Sequence, residues 1–201
     1  MNKWDIRFDT DEYVYGKDPN VFLSENSNSF SGKNILSLGE GEGRNAVYLA
    51  KCGFNVTAVD SSIVALEKTQ KLALENGVSL TTICEDLANF TIGCQKWDGI
   101  ISIFCHLPPD LRSKILKNSV AALGQNGIFL LEAYTKDQLN YNTGGPRVAA
   151  LMMSLQQLKC DLNGLDIIHG VELKRKIKEG RLHCGTGAVV QVLAVKRRSQ
   201  K

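Results

Sequence analysis

The sequence contains no run of about 18 apolar residues, so no membrane span is expected. Its first residues, Met1-Asn2-Lys3-Trp4-Asp5, lack the apolar core of a secretory leader. It also lacks a charge excess. The 24 Lys+Arg against 21 Asp+Glu leave a net charge of +3, so no polyanionic partner is demanded and none, nucleic acid or membrane, is expected. The short basic end Lys196-Arg197-Arg198 reads as a solubilising tail. Paired cysteines are missing as well: Cys52, Cys84, Cys94, Cys105, Cys160 and Cys184 never fall at C-x-x-C spacing. They read as reduced core thiols of a cytoplasmic protein, with neither a disulfide framework nor a metal site. No internal repeat or low-complexity segment is present.

What is there is ordinary in bulk and ordered in detail. With 43% hydrophobic and 22% charged residues, a chain of 201 residues suits one soluble domain with a proper core. From Asn34 onward, short apolar runs alternate with amphipathic segments. Ile35–Leu38 reads as a strand running into glycines, with a helix from Arg44 to Cys52. Phe54–Val59 is a second strand, and Ser61 or Ser62 caps a helix from about Ile63 that ends at Gly77. Ser79–Cys84 and Gly99–Phe104 are the third and fourth strands. Pro108, Pro109 and Asp110 open the next helix, and Ile128–Ala133 is the fifth strand. Such alternation predicts a doubly wound α/β fold with a parallel sheet.

The tail departs from this rhythm. Val148, Leu151, Met152, Leu155 and Leu158 recur at helical spacing, and Met152 and Met153 read as helix packing. Two strand-like runs follow, Ile167–Lys178 and Ala188–Val195, joined near Gly180 as an antiparallel hairpin. The second is apolar on both faces apart from Gln191, so it belongs inside the sheet. The first alternates Val171, Leu173 and Ile177 with Glu172, Lys174, Lys176 and Lys178, the pattern of a protected edge. Thr81 and Thr82 mark the other edge. The predicted order is therefore 3-2-1-4-5-7-6 in seven strands, with strand 7 antiparallel. Residues 1–33 carry Trp4, Phe8, Tyr13, Tyr15, Phe22 and Phe30 among turn formers. They read as an aromatic arm packed on the domain formed by 34–201, and the whole is expected to be a monomer.

The sharpest feature is Leu38-Gly39-Glu40-Gly41-Glu42-Gly43-Arg44-Asn45, between the first strand and first helix. Glycines there permit positive φ and let a ligand lie against bare backbone, at the crevice where open α/β sheets bind ligands. Asp60, ending strand two, is placed to accept from both hydroxyls of a ribose. Gly41-x-Gly43-x-x-Ala46 also satisfies a dinucleotide fingerprint, which keeps an NAD or nucleotide sensor in play. Charge argues against it. A pyrophosphate beside Glu40 and Glu42 would cost on the order of 4 kcal/mol per like-charge pair at about 4 Å and an effective dielectric near 20. A sulfonium nucleoside would instead be attracted, provided a glutamate faces inward.

The runs Ile35 to Asn45, Tyr48-Leu49-Ala50, Gly53 and Val56 to Asp60 resemble the class I S-adenosylmethionine-dependent methyltransferases. Within that group they are most similar to the tellurite-resistance and thiopurine methyltransferase-like branch. The resemblance implies S-adenosylmethionine as cofactor and a small-molecule methyl acceptor, with an RNA or protein acceptor as the alternative. It implies that Gly39, Gly41 and Gly43 lie beneath the methionine part and the adenosine, with Glu40 and Asn45 in the same set. Asp60 would bind the ribose with Ser61 beside it. Asp86 would accept from the adenine amino group, and the Leu87 N–H would donate to the ring. Ile103 and Phe104 would contact the methionyl chain. One departure is that many relatives carry an acid where this chain has Ser37, so its hydrogen bonding is lost or taken over by Glu40. On the acceptor side, His106 is a candidate base or a structural histidine. Tyr13 and Tyr15 would cover the sulfonium or merely pack. Arg147, in the loop 142–147, suits an anionic acceptor or only tips a helix, and His183 at the hairpin turn reads as solvated.

Overall fold

The computed structural model describes residues 2–94 and 96–197. Two short helices, α1 (Lys3–Phe8) and α2 (Val21–Asn26), precede β1 (Asn34–Leu38), α3 (Arg44–Lys51), β2 (Asn55–Asp60), α4 (Ile63–Glu75) and β3 (Thr81–Cys84). Then come β4 (Trp97–Ile103), α5 (Pro109–Ala122), β5 (Leu123–Tyr134), α6 (Leu155–Asp161), β6 (Asp166–Glu179) and β7 (His183–Val195). The seven strands form one sheet in the order β3-β2-β1-β4-β5-β7-β6. The first five are parallel, and β7 runs antiparallel to both β5 and β6.

Each expected cause is visible. Ser62 caps α4 by accepting from the Ala65 N–H, and Gly77 stops it at φ 67°. Proline at the first turn of α5 is followed by Asp110. Central strands are buried on both faces, so alternate residues feed two cores. One contains Phe129, Leu131 and Ala133 with α5 and α6; the other contains Ile128 and Leu130 with Phe22, Phe30 and α3. The edge strand β6 keeps Lys174, Lys176 and Lys178 in solvent.

Three expectations need correction. The segment after Pro146 is not one helix: Ala149–Leu151 forms a single 3-10 turn and α6 begins only at Leu155. Between them the Met153 N–H donates to the Tyr134 carbonyl at 2.9 Å, which docks an extended link on the end of β5. Met152 and Met153 are buried in that link, not in a helix. Five cysteines, Cys52, Cys84, Cys94, Cys160 and Cys184, are exposed rather than in the core; Cys105 alone is largely covered. Lys196 does more than solubilise, since its ammonium donates to the Val120, Ala121 and Leu123 carbonyls where α5 ends. Arg198 of that basic end lies outside the described residues. Among the described residues no helix is long and apolar enough to cross a membrane.

The N-terminal arm lies across the carboxyl edge of β1 and β2. Asn2 and Asp5 make a capping box at the start of α1. Asn2 then donates to the Ser61 carbonyl, and the Ser62 hydroxyl donates to Asp5 at 2.7 Å. Lys68 of α4 reaches the carbonyls of Phe8, Thr10 and Glu12. The arm is thus tied to both ends of the turn that follows β2.

Candidate active site

The loop after β1 turns on Gly39, Gly41 and Gly43, with φ of 62°, 72° and 94°. Its start is fixed by the N–H groups of Gly39 and Glu40, which both donate to the Val59 carbonyl of β2. Gly43 is required by packing as well as by φ: a Cβ there would stand 2.8 Å from the Thr69 Cα of α4. A Cβ on Gly39 would meet the Cys105 sulfur at 2.7 Å, so that thiol lies directly over the loop. Burial pushes the Cys105 thiol up to about 12, with the Asp60 charge adding to the effect. Phe8 of the arm approaches Gly41 from above.

Both loop glutamates are engaged by the chain itself, so neither is the free inward-facing carboxylate that was expected. One Glu40 oxygen accepts the N–H groups of Asn45 and Ala46 at 3.1 and 3.0 Å, and the other takes the Ser37 hydroxyl. Glu40 thus ties the end of β1 to the first turn of α3. Burial raises its pKa, with the Ser37 hydroxyl pulling it back. Glu42 pairs with Lys68 at 2.5 Å and accepts the Tyr15 N–H at 3.3 Å. The inward-facing carboxylate on which the charge argument depended is therefore not there. The case against a pyrophosphate survives by another route. The first N–H groups of a helix are the natural seat of a phosphate, and at α3 that seat is held by the chain's own carboxylate. Asn45 is likewise committed, its side-chain oxygen taking the Asn20 N–H at 2.9 Å.

Asp60 closes β2 and is 8% exposed. Its oxygens accept from the Gly41 and Ser62 N–H groups, each at 2.9 Å. Burial raises its pKa, and these N–H groups oppose the rise. A carboxylate has about four acceptor positions, so two remain. Ser61 lies beside it through its backbone, whose carbonyl Asn2 holds. Beyond β3, Asp86 is exposed with one oxygen on the Ala88 N–H, and Leu87 is buried. At the end of β4, Ile103 is buried, and Phe104 adopts φ 51°. A bulky residue in that left-handed region is strained, a cost that clusters at sites.

His106 is not a base. Its Nδ1 donates to the Phe104 carbonyl at 2.9 Å, and its Nε2 accepts the Tyr134 N–H at 3.1 Å. The ring prolongs the β4–β5 ladder by one rung and has no free nitrogen. Tyr13 also leaves the site: it packs with Val47, Leu72 and Ala73 and donates to the Lys68 carbonyl. Tyr15 does reach the edge, its ring 4.6 Å from that of His183. Arg147 is exposed and bonded to the Tyr141 carbonyl and Asn142. His183, expected in solvent, is 8% exposed beneath Tyr15, Phe104 and Tyr134.

Burial holds His106 down to about 4 and His183 down to about 3, against 6.5 for a free imidazole. Below pH 6.5 the unfolded chain binds protons that these folded rings refuse, so stability falls as pH drops from about 6.5 towards 4. Each such proton contributes a slope on the order of 1.4 kcal/mol per pH unit. Glu40 and Asp60, with pKa values raised by burial, act in the opposite sense. Urea unfolding of the wild type and His106→Gln at pH 7, 6 and 5 cancels them. The variant's stability is expected to fall less steeply by about one proton's worth; identical slopes would refute the neutral, bridging His106.

Residues 35–127 match the family described as a methyltransferase domain. Over 122 residues the chain is 28% identical to the ubiquinone biosynthesis O-methyltransferase of Actinobacillus pleuropneumoniae, covering 57% of this chain and 51% of that protein. It is 34% identical over 109 residues to the ribosomal protein L11 methyltransferase of Helicobacter hepaticus, 51% of this chain and 34% of that one. The chain thus spans about half or less of these curated relatives. Among solved structures, TehB from Haemophilus influenzae superimposes with a TM-score of 0.71 at 19% identity, over 87% of this chain and 61% of that chain. An S-adenosylmethionine-dependent methyltransferase from Clostridium acetobutylicum does so at 0.68 and 16% identity, over 96% and 95%.

Residues 35–127 thus form a methyltransferase domain, and the sheet order is that of the class I S-adenosylmethionine-dependent methyltransferase fold. S-adenosylmethionine is the cosubstrate of that family. What sequence reasoning missed lies around β5. Glu132, 0% exposed, accepts from Arg175, Asn20 and Gln191. Glu179 accepts from Arg44, Arg175 and Asn20. The one signal in the sequence is Glu132 itself, a lone carboxylate inside the apolar run Ile128–Ala133.

Proposed function

We propose that the protein transfers the methyl group of S-adenosylmethionine to a small-molecule acceptor. The observation that carries this reading is the division of labour around the glycine loop. Glu40 fills the phosphate seat of α3 while Asp60 keeps acceptor capacity at the end of β2, which suits a phosphate-free nucleoside. Gly39 and Gly41, with positive φ and no side chains, shape the loop for such a ligand beside Cys105 and Phe8. Asp60, with Ser61 beside it, would hold the ribose, Asp86 and the Leu87 N–H the adenine, and Ile103 and Phe104 the methionyl chain. Glu40 and Asn45 act one layer back, by fixing the loop and the first turn of α3. Gly43 lets α3 and α4 approach each other.

Bound S-adenosylmethionine supplies an activated methyl group. The chain's own task is to align the acceptor in line with it and keep water away. The arm sets Phe8 over Gly41 and Tyr15 over His183, and Phe104 stands among the rings of His106, Tyr134 and His183. A small acceptor fits an edge roofed so closely. Calorimetric titration tests the cofactor half: S-adenosylhomocysteine should bind saturably and more tightly than S-adenosylmethionine. Heat from NADH and none from either adenosyl ligand would overturn it. Formation of S-adenosylhomocysteine with small acceptors, and none with bulk tRNA or ribosomal protein, tests the acceptor half.

A further inference from the structure

Two polar atoms at the carboxyl edge of the sheet are buried without a partner, the Tyr134 hydroxyl and the His183 Nδ1. Leaving such groups unpaired is costly, and native structures do it where a ligand or water completes them. They are neighbours: the two rings stand 5.4 Å apart at 84°. Phe104 lies 4.6 Å from the first and 4.8 Å from the second, and Tyr15 lies 4.6 Å from His183. The walls are thus aromatic, and one of them is Phe104, the strained residue that follows β4.

The cover over this pair is bare backbone. A Cβ on Gly144 would come within 2.9 Å of the Tyr134 hydroxyl oxygen and 2.8 Å of the His183 ring, and one on Gly145 within 2.7 Å of the Tyr134 ring. Both glycines have positive φ, 129° and 83°. Outside them a cleft of about 230 Å³ separates the loop 142–147 from the hairpin turn, and among the described residues the charged side chains lining it are Arg147 and Arg181. Arginine forks suit carboxylates. Burial disfavours a charge on His183, whose unpartnered Nδ1 is left to hydrogen-bond with a neutral group.

We propose that Tyr134 and His183 form the acceptor-recognition pair, and that the acceptor is a small aromatic carboxylate bearing a hydroxyl group. It enters by the cleft with Gly144 and Gly145 lifting from the rings. Its carboxylate meets Arg147 and Arg181, its ring stacks among Tyr15, Phe104 and Tyr134, and its hydroxyl pairs with the two unpartnered atoms. This rests on the methyl-transfer reading and adds the class of acceptor.

The probes are 3-hydroxybenzoate and 4-hydroxybenzoate, with benzoate as the control lacking the hydroxyl. All are titrated calorimetrically into protein saturated with S-adenosylhomocysteine. At least one hydroxybenzoate should bind tenfold or more tighter than benzoate. Tyr134→Phe, which deletes only the oxygen, should abolish that preference, leave S-adenosylhomocysteine affinity unchanged and leave the melting temperature equal or higher. His183→Phe should act in the same direction. Equal binding of benzoate, no binding of either hydroxybenzoate, or a preference that survives in Tyr134→Phe overturns the proposal. Failure of S-adenosylhomocysteine to bind the wild type is a different result, and it removes the methyl-transfer reading beneath.

Discussion

Asp60→Asn is expected to weaken S-adenosylhomocysteine binding by about 100-fold, the worth of two charge-assisted hydrogen bonds at about 1.5 kcal/mol each. The carboxylate stands at the carboxyl edge of β2 with one lone pair on each oxygen taken by a backbone N–H. The amide supplies one acceptor and one donor where the carboxylate supplied two acceptors. One of those N–H groups then faces a donor, so some loss of loop order comes with the substitution. A ligand comparison separates the two effects. The wild type should prefer adenosine to 2′,3′-dideoxyadenosine, and Asp60→Asn should bind the two alike. If the variant keeps the preference, or binds S-adenosylhomocysteine as the wild type does, Asp60 does not hold the ribose.

The fold was largely legible because the features that set it are local or periodic. A strand apolar on both faces must lie inside a sheet, and a strand with alternate lysines must lie at an edge. Those two facts alone put β7 between β5 and β6. The one polar residue that marred β7, Gln191, donates to Glu132 across the ladder, so the exception belonged to the buried network. The segment after Pro146 misled because helical spacing ignores what a neighbouring strand offers. The Tyr134 carbonyl claims the Met153 N–H, and Ser154 then caps a shorter α6.

The candidate site was legible in its loop and opaque in its side chains. Positive φ at three glycines follows from residue type, whereas the direction of Glu40 and Glu42 depends on partners that spacing does not name. For Glu42 the partner is Lys68 of α4, and for Glu40 it is the first turn of α3. His183 was misread for the same reason. A histidine beside Gly180 and Arg181 belongs to a solvated turn by local rules, yet Tyr15 arrives from the arm and covers it. The Gly16 N–H donates to the Tyr13 carbonyl, and Gly16 packs on Gly180 closely enough that a Cβ would meet its nitrogen at 3.2 Å. Two bare glycines from opposite ends of the chain make that burial possible.

Glu132→Ala should lower stability by about 3–5 kcal/mol, the usual cost of removing one partner from a buried ion pair. At about 2–4 °C per kcal/mol for a chain of this size, the melting temperature should fall by roughly 10 °C. Glu132 and Glu179 balance Arg44 and Arg175, and Asn20 of the arm bridges the two carboxylates at 2.5 and 3.0 Å. Removing Glu132 leaves Arg175 facing Glu179 alone and strips Asn20 of one acceptor. The double variant Glu132→Leu/Arg175→Met removes the charge and its counter-charge together, so it should recover part of the loss. If the double variant is no more stable than Glu132→Ala, the pair is not what holds this layer. The consequences extend to the arm and to α3, because the network holds both. Arg44 opens α3 beneath the glycine loop, Asn20 anchors the arm, and Glu132 sits one step below Tyr134 on the same face of β5. Glu132→Ala should therefore also loosen the arm, which is checked by faster tryptic cleavage at Lys17 under conditions where the protein is still folded.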